Sequence, residues 1–455
     1  MIWILLLILV LWEFCVFVYF KKDIFNPTVL YNMGFIVAVF VAALNTQKWG
    51  VELSRKTFLV ILIGSFAFFF GNLVGVKIRE KKGRTEITGD RGELRAIVVD
   101  NWKVWLLIVI GIVTIARQSV EVRIIASHAA EFYRQQGLMT AYKAALSDGY
   151  NMSELLQQMI RIVSVSAQIL TFVLIYNFYF GSKRERKQLK WIAVFLVIYL
   201  VQCIKQAGRG SLINYFIYLM FLFYFINKIK LNGFRMNIFK KKFILTGVLT
   251  VAAFLIFFYK GMGLVGRSTS VNFFDYISSY LGSSIEMLDL YLREPSSKTD
   301  VFMGETMPVL INFFKRLGVG SSETIKVVLE YRETETGLII GNIYTALRRY
   351  YNDLKWLGVC IFPFLMSLFF SLYYRSINKF NNFSLVYIFK VIVYGSLLGT
   401  VVLQAMEDSF YLYKITPGYM LELVVIYVML IFFVGANFNV HKNCDEEGGT
   451  LANEE

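Results

Sequence analysis

The chain has 455 residues, 57% of them hydrophobic and 17% aromatic, and carries a net charge of +15; its mean hydropathy is +0.56. That is more apolar surface than a water-exposed fold can hide, and it comes in blocks of about 20 residues, the length that crosses a bilayer. An all-α polytopic membrane protein is expected, and nucleic-acid binding is not, because much of the positive charge sits in short loops beside apolar runs, where it sets topology.

Eleven apolar runs follow in order: 1–20, 28–46, 58–78, 104–123, 157–180, 189–207, 210–227, 243–259, 356–374, 384–406 and 417–436. The first lacks the basic leader and small-residue cleavage site of a signal peptide, so it reads as a retained helix, with Glu13 as the first charge inside a span. This divides the chain into helices 1–8 over 1–259, a large loop over 260–355, helices 9–11 over 356–436 and a short cytoplasmic tail over 437–455. Residues 127–156 alternate HAAEFYRQQ and TAYKAALSD, a pattern suited to short amphipathic helices along a membrane surface. Three of the four cysteines lie in apolar runs (Cys15, Cys203, Cys360) and Cys444 in the tail, which gives neither a disulfide framework nor a zinc spacing.

Lys and Arg are distributed unevenly between alternate connections, 24 against 10 in the short loops. Basic loops resist translocation, so the N-terminus is expected outside, the C-terminus inside and the large loop outside. That loop holds eleven basic and eleven acidic residues. Such balance predicts a folded element in which particular arginines face particular carboxylates or a particular anion.

Charge inside a span costs at least ~3 kcal/mol, so each such residue needs an account. On the expected topology Arg117, Arg123, Arg161, Arg209, Glu407, Asp408 and Glu422 fall in or near the outer half. Arg123 and Lys390 can snorkel to water; Arg117 and Arg161 are expected to line a polar cavity open to the outside. Arg209 sits in KQAGRGSL (205–212), where flanking glycines allow a tight turn and close approach of an anion to the backbone. At the end of the large loop, a helix over 341–354 would put Thr345, Arg349 and Asp353 on one face and Tyr344, Arg348, Tyr351 and Lys355 on another. Such a face suits a sugar phosphate, tyrosine stacking on the sugar and the arginine fork on phosphate oxygens. An interfacial helix with Arg349 paired to Asp353 is the other reading of the same spacing.

These residues resemble the Wzy-type polymerases, which assemble oligosaccharide repeat units into O-antigen, capsule and exopolysaccharide. The resemblance covers most of the chain as architecture and is specific at Gly208–Arg209 and at GNIYT, YND and LG within 341–358. It implies a GT-C-like lipid-linked glycosyltransferase in a bacterial cell membrane, acting at the outer face. Donor and acceptor would both be polyprenyl-pyrophosphate-linked oligosaccharides, with a lipid-linked glycan flippase and a chain-length regulator as further partners. Arginines would stabilise the leaving pyrophosphate without a metal or other cofactor, and a carboxylate would take the acceptor proton. The catalytic residues are then Arg209, Arg349 and Asp353, with substrate contacts at Arg117, Arg161, Arg267, Tyr344, Arg348, Glu407 and Asp408. Glu323, Glu407 and Asp408 stand behind Asp353 as carboxylate bases. The large loop has no histidine, since His128 and His441 lie elsewhere, so the histidine that related O-antigen ligases place there has no counterpart. A flippase for the same lipid-linked glycan and a ligase-type glycosyltransferase are the rival classes; the flippase predicts inverted repeats and Gly/Pro-broken helices, which the sequence does not show.

Overall fold

The computed structural model describes residues 1–80, 96–182, 189–206, 210–231, 272–295, 301–320, 324–379 and 384–435. Among them there is no strand, only an isolated antiparallel bridge between Glu333 and Ile339. Nine of the described helices are long and apolar enough to cross a membrane, so the chain is a polytopic helical membrane protein. Of the eleven expected runs, 243–259 lies outside the described residues, and 189–207 forms a helix of 17 residues, shorter than those nine.

The chain divides into two compact units. The first contains α1 (Ile2–Tyr19), α2 (Pro27–Leu44), α3 (Thr46–Trp49) and α4 (Arg55–Glu80). Local chemistry starts α2 firmly, because Pro27 occupies its first turn and the Asn26 side chain accepts from Thr28 N. Asn26 also accepts from Asn72 Nδ2 of α4 at 2.8 Å, which ties the two helices together at that end. Glu13, the charge inside the first run, meets Asn32 Nδ2 of α2 at 3.1 Å.

The described part of the large loop belongs to this unit and folds into α11 (Phe273–Leu281), α12 (Ser283–Arg293) and α13 (Pro308–Arg316), which follow helices of the second unit in the chain. It is stitched to the α2–α4 connection: Asp289 accepts from Ser54 N at 2.8 Å and Thr57 Oγ1 at 2.5 Å, and Thr336 Oγ1 donates to Lys48 O.

Next comes α14 (Ala346–Asn378), which packs along α4. Gly71 and Gly75 of α4 face Ser367 and Ser371 of α14, and a Cβ on Gly71 would lie 2.2 Å from Phe364 O. With small residues four apart on both helices, the backbones come close without hydrocarbon side chains between them. The helix breaks at Lys355, which sits at φ 55°, ψ −134° inside α14. Such a backbone costs a non-glycine residue on the order of 1–3 kcal/mol. It turns the helix so sharply that a Cβ at Gly358 would lie 2.0 Å from Tyr350 O, which gives the LG pair of the motif a steric reason.

The second unit contains α5 (Asn101–Ser127), α6 (Glu131–Gln135), α7 (Leu138–Ser147), α8 (Glu154–Phe180), α9 (Leu189–Lys205) and α10 (Gly210–Lys230). The expected short helices are α6 and α7. The apolar face of α7 is spent on protein: Met139, Ala141, Tyr142 and Ala145 pack against Val122, Ile125 and Ala126 at the end of α5. The unit also takes the first part of α15 (Leu385–Val402) and most of α16 (Pro417–Val434), from Leu421 on.

Candidate functional site

Two clusters of charge emerge, one in each unit. In the first unit the amino-terminal turns of α14 carry Arg348 and Arg349. Arg348 is 1% exposed and donates to Glu305 Oε2 at 2.6 Å and to both oxygens of Glu330 at 2.8 and 2.9 Å. Its guanidinium lies between the rings of Tyr291 (4.3 Å) and Tyr344 (4.6 Å). The fork that a phosphate would need is filled by two carboxylates, and the planar group is held by cation–π contacts on both faces. Burial raises Glu305 above the usual carboxylate range, and the charges of Arg348 and Arg349 oppose it. Burial also pushes the Tyr291 hydroxyl up to about 12.

Helix formation begins at Ala346 and not at 341, because Gly341 takes φ 128° and Thr345 is extended at the cap. Tyr344 is therefore off the helix, yet its ring still meets Arg348 and its hydroxyl donates to Glu330 O at 3.1 Å. Arg349 and Asp353 share a face but form no ion pair among the described residues. Arg349 donates to the carbonyls of Glu305 and Val327, both at 2.8 Å. Asp353 accepts from Thr306 N at 2.8 Å and Glu305 N at 3.2 Å. Together they clamp one stretch of loop backbone, which leaves neither carboxylate oxygen of Asp353 free of a backbone N–H.

Asp408 is fully buried, accepts from Tyr411 N at 3.1 Å, and leaves one oxygen without a hydrogen-bond partner. Burial pushes it up to about 7, against the opposing charge of Arg349. Glu407 beside it is exposed. Glu286 on α12, which the sequence did not single out, is 1% exposed with an unpartnered oxygen, and burial together with the neighbouring Asp289 pushes it up to about 8.

The second unit holds an open cavity of about 350 Å³ lined by Tyr142, Met152, Gln157, Ile160, Arg161, Ser164, Val165, Tyr199, Gln206, Ser211 and Glu422. Its wall comes from the first half of α8, the ends of α9 and α10 nearest their connection, and the second turn of α16. The expected topology puts all four of these helix ends on the same side, and here they surround one space. Arg161 lines it as expected; its Nη1 donates to the neutral Gln158 Oε1 at 2.9 Å, and no carboxylate pairs with it among the described residues. Glu422 likewise has no ion pair or hydrogen bond among the described residues, although it stands inside a membrane-spanning helix.

Arg117, expected beside Arg161, does not line the cavity. It is exposed on α5 and paired with Glu121 one turn on, at 3.1 Å, while Glu121 also takes Ser153 Oγ at 2.5 Å. Arg209, Arg267 and Glu323 lie outside the described residues. Gln206 and Ser211, which flank 207–209, both line the cavity and bond to each other at 3.1 Å. Sequence reading missed Glu305, Glu330 and Tyr291 as partners of Arg348, since nothing in spacing joins residues so far apart. The polar stripe Gln157, Arg161, Ser164 on α8 was visible at helical period. Among the described residues no group of three or more His, Cys, Asp or Glu could hold a metal ion. No family model matches the chain, and neither a curated protein nor a solved structure matches it.

Proposed function

We propose that this protein polymerises polyprenyl-pyrophosphate-linked oligosaccharide repeat units at the outer face of a bacterial cell membrane, as a Wzy-type glycosyltransferase of GT-C-like architecture. The observation that carries the reading is the cavity of the second unit, with a guanidinium that no carboxylate of the described residues pairs with. Its volume, about 350 Å³, falls in the ~300–1,000 Å³ range of small-molecule sites. Arg161 supplies a fork for pyrophosphate oxygens, and Gln157, Gln206 and Ser211 supply donors and acceptors for hydroxyls.

In this reading the acceptor hydroxyl attacks the anomeric carbon of the donor glycan, and polyprenyl pyrophosphate leaves against Arg161, whose fixed charge stabilises what develops on the leaving oxygen. Arg348, Arg349 and Asp353 serve by fixing the large loop. Surface glycan from a strain lacking this protein tests it: single repeat units are expected. Retention of long lipid-linked chains would make it a ligase, and unchanged surface glycan would remove the activity altogether.

A further inference from the structure

We infer that Glu422 is the general base of this reaction, taking the proton of the acceptor hydroxyl within the cavity that Arg161 also lines; the inference rests on the polymerase reading given above. A base must reach the reacting hydroxyl and must have a free lone pair. Asp353 fails the first condition, since it does not line the cavity and both its oxygens hold the backbone N–H groups of Glu305 and Thr306. Asp408 fails the first, being fully buried. Of the residues lining the cavity, Glu422 is the one carboxylate.

Its position argues in the same direction. Glu422 is the sixth residue of the Pro417–Val434 span, one and a half turns below its end. A carboxylate within a span costs about 3 kcal/mol and is sustained where it faces a polar cavity, so an acid that no arginine or lysine of the described residues pairs with calls for a use. Arg161 lines the same cavity but does not form an ion pair with it, so the two charges stay separate. A single displacement needs two such groups, one to activate the nucleophile and one to neutralise the leaving group. The acceptor oxygen forms its bond to the anomeric carbon as the bond from that carbon to the pyrophosphate oxygen breaks. The hydroxyl proton passes to Glu422 and the bonding pair departs with polyprenyl pyrophosphate; water then carries the proton from Glu422 out of the cavity.

The full-length protein in lipid nanodiscs, supplied with lipid-linked repeat units extracted from the host membrane, tests this. Glu422→Gln should elongate at least ~100-fold more slowly than wild type, the loss typical of a removed base. Its binding of farnesyl pyrophosphate, a soluble probe of the leaving group, should stay within about threefold, because the amide removes no anion contact. Glu422→Ala should regain elongation as formate is added, since the small carboxylate enters the space left behind. Glu422→Gln elongating at close to the wild-type rate, or Glu422→Ala that binds the probe yet gains nothing from formate, overturns the assignment and leaves the polymerase intact. Wild-type protein that extends no repeat unit overturns the polymerase reading and the base with it.

Discussion

Arg348 and Arg161 sit on helices of similar character and were equally plausible anion grips from sequence, yet their surroundings differ in kind. Arg348 meets two tyrosine rings and is paired with Glu305 and Glu330. Arg161, among the described residues, keeps a glutamine and opens on a cavity. The difference teaches that arginine in a membrane protein is sorted by its acceptors. When the chain itself provides the carboxylates, the guanidinium is a fastener; when the chain withholds them, the deficit is left for a ligand to fill.

The sharpest way to break this comparison is to remove the fastener. Arg348→Ala leaves Glu305 buried without its partner, and breaking a buried pair this way costs about 3–5 kcal/mol. A large drop in the unfolding midpoint of the purified protein, or failure to accumulate in membranes, is expected. A variant as stable as wild type would mean that the cluster is not structural.

The second effect depends on pH. Glu286 holds its proton in the folded protein up to about pH 8, whereas an unfolded glutamate gives it up near 4.5. The folded state therefore binds more protons across that interval, and stability falls as pH rises through it. Glu286→Gln mimics the protonated acid, so it should flatten the fall, with a higher midpoint than wild type at pH 8 and little difference at pH 5. Parallel curves for the two proteins would contradict this.

A smaller effect separates holding from chemistry. Asp353→Asn replaces one of two oxygens facing backbone N–H groups with a donor, for an expected loss of about 1–3 kcal/mol. Elongation should fall only as far as the folded fraction falls. A loss of about 100-fold in fully folded protein would return Asp353 to the chemistry.

Much of the fold was legible because the bilayer imposes one length and one polarity on each span. The loop–span boundary at 355 and 356 coincides with the break at Lys355, and the balanced charges of the large loop do appear as arginine–carboxylate pairs in its described part. The site was less legible. Arg161 could be read because a charge inside an apolar span needs a polar partner or cavity. Glu305 and Glu330 could not be matched to Arg348, because loop residues 18 and 43 positions away meet it only through tertiary folding. Asp353 misled for a local reason: a carboxylate one turn from an arginine suggests a pair, and here both side chains turned to the backbone of Glu305 instead. Glu422 stood among the charges of the outer half, but only the shared cavity distinguishes it from a snorkelling acid.

The central claim is that the cavity of the second unit binds pyrophosphate through Arg161. Calorimetric titration of farnesyl pyrophosphate into wild type and Arg161→Gln, in the same nanodiscs, tests it most directly. A charge-assisted contact is worth about 1.5–3 kcal/mol, so affinity should fall about 10- to 100-fold with the unfolding midpoint unchanged. Equal affinity in the two proteins would contradict the account and move the anion site away from this cavity.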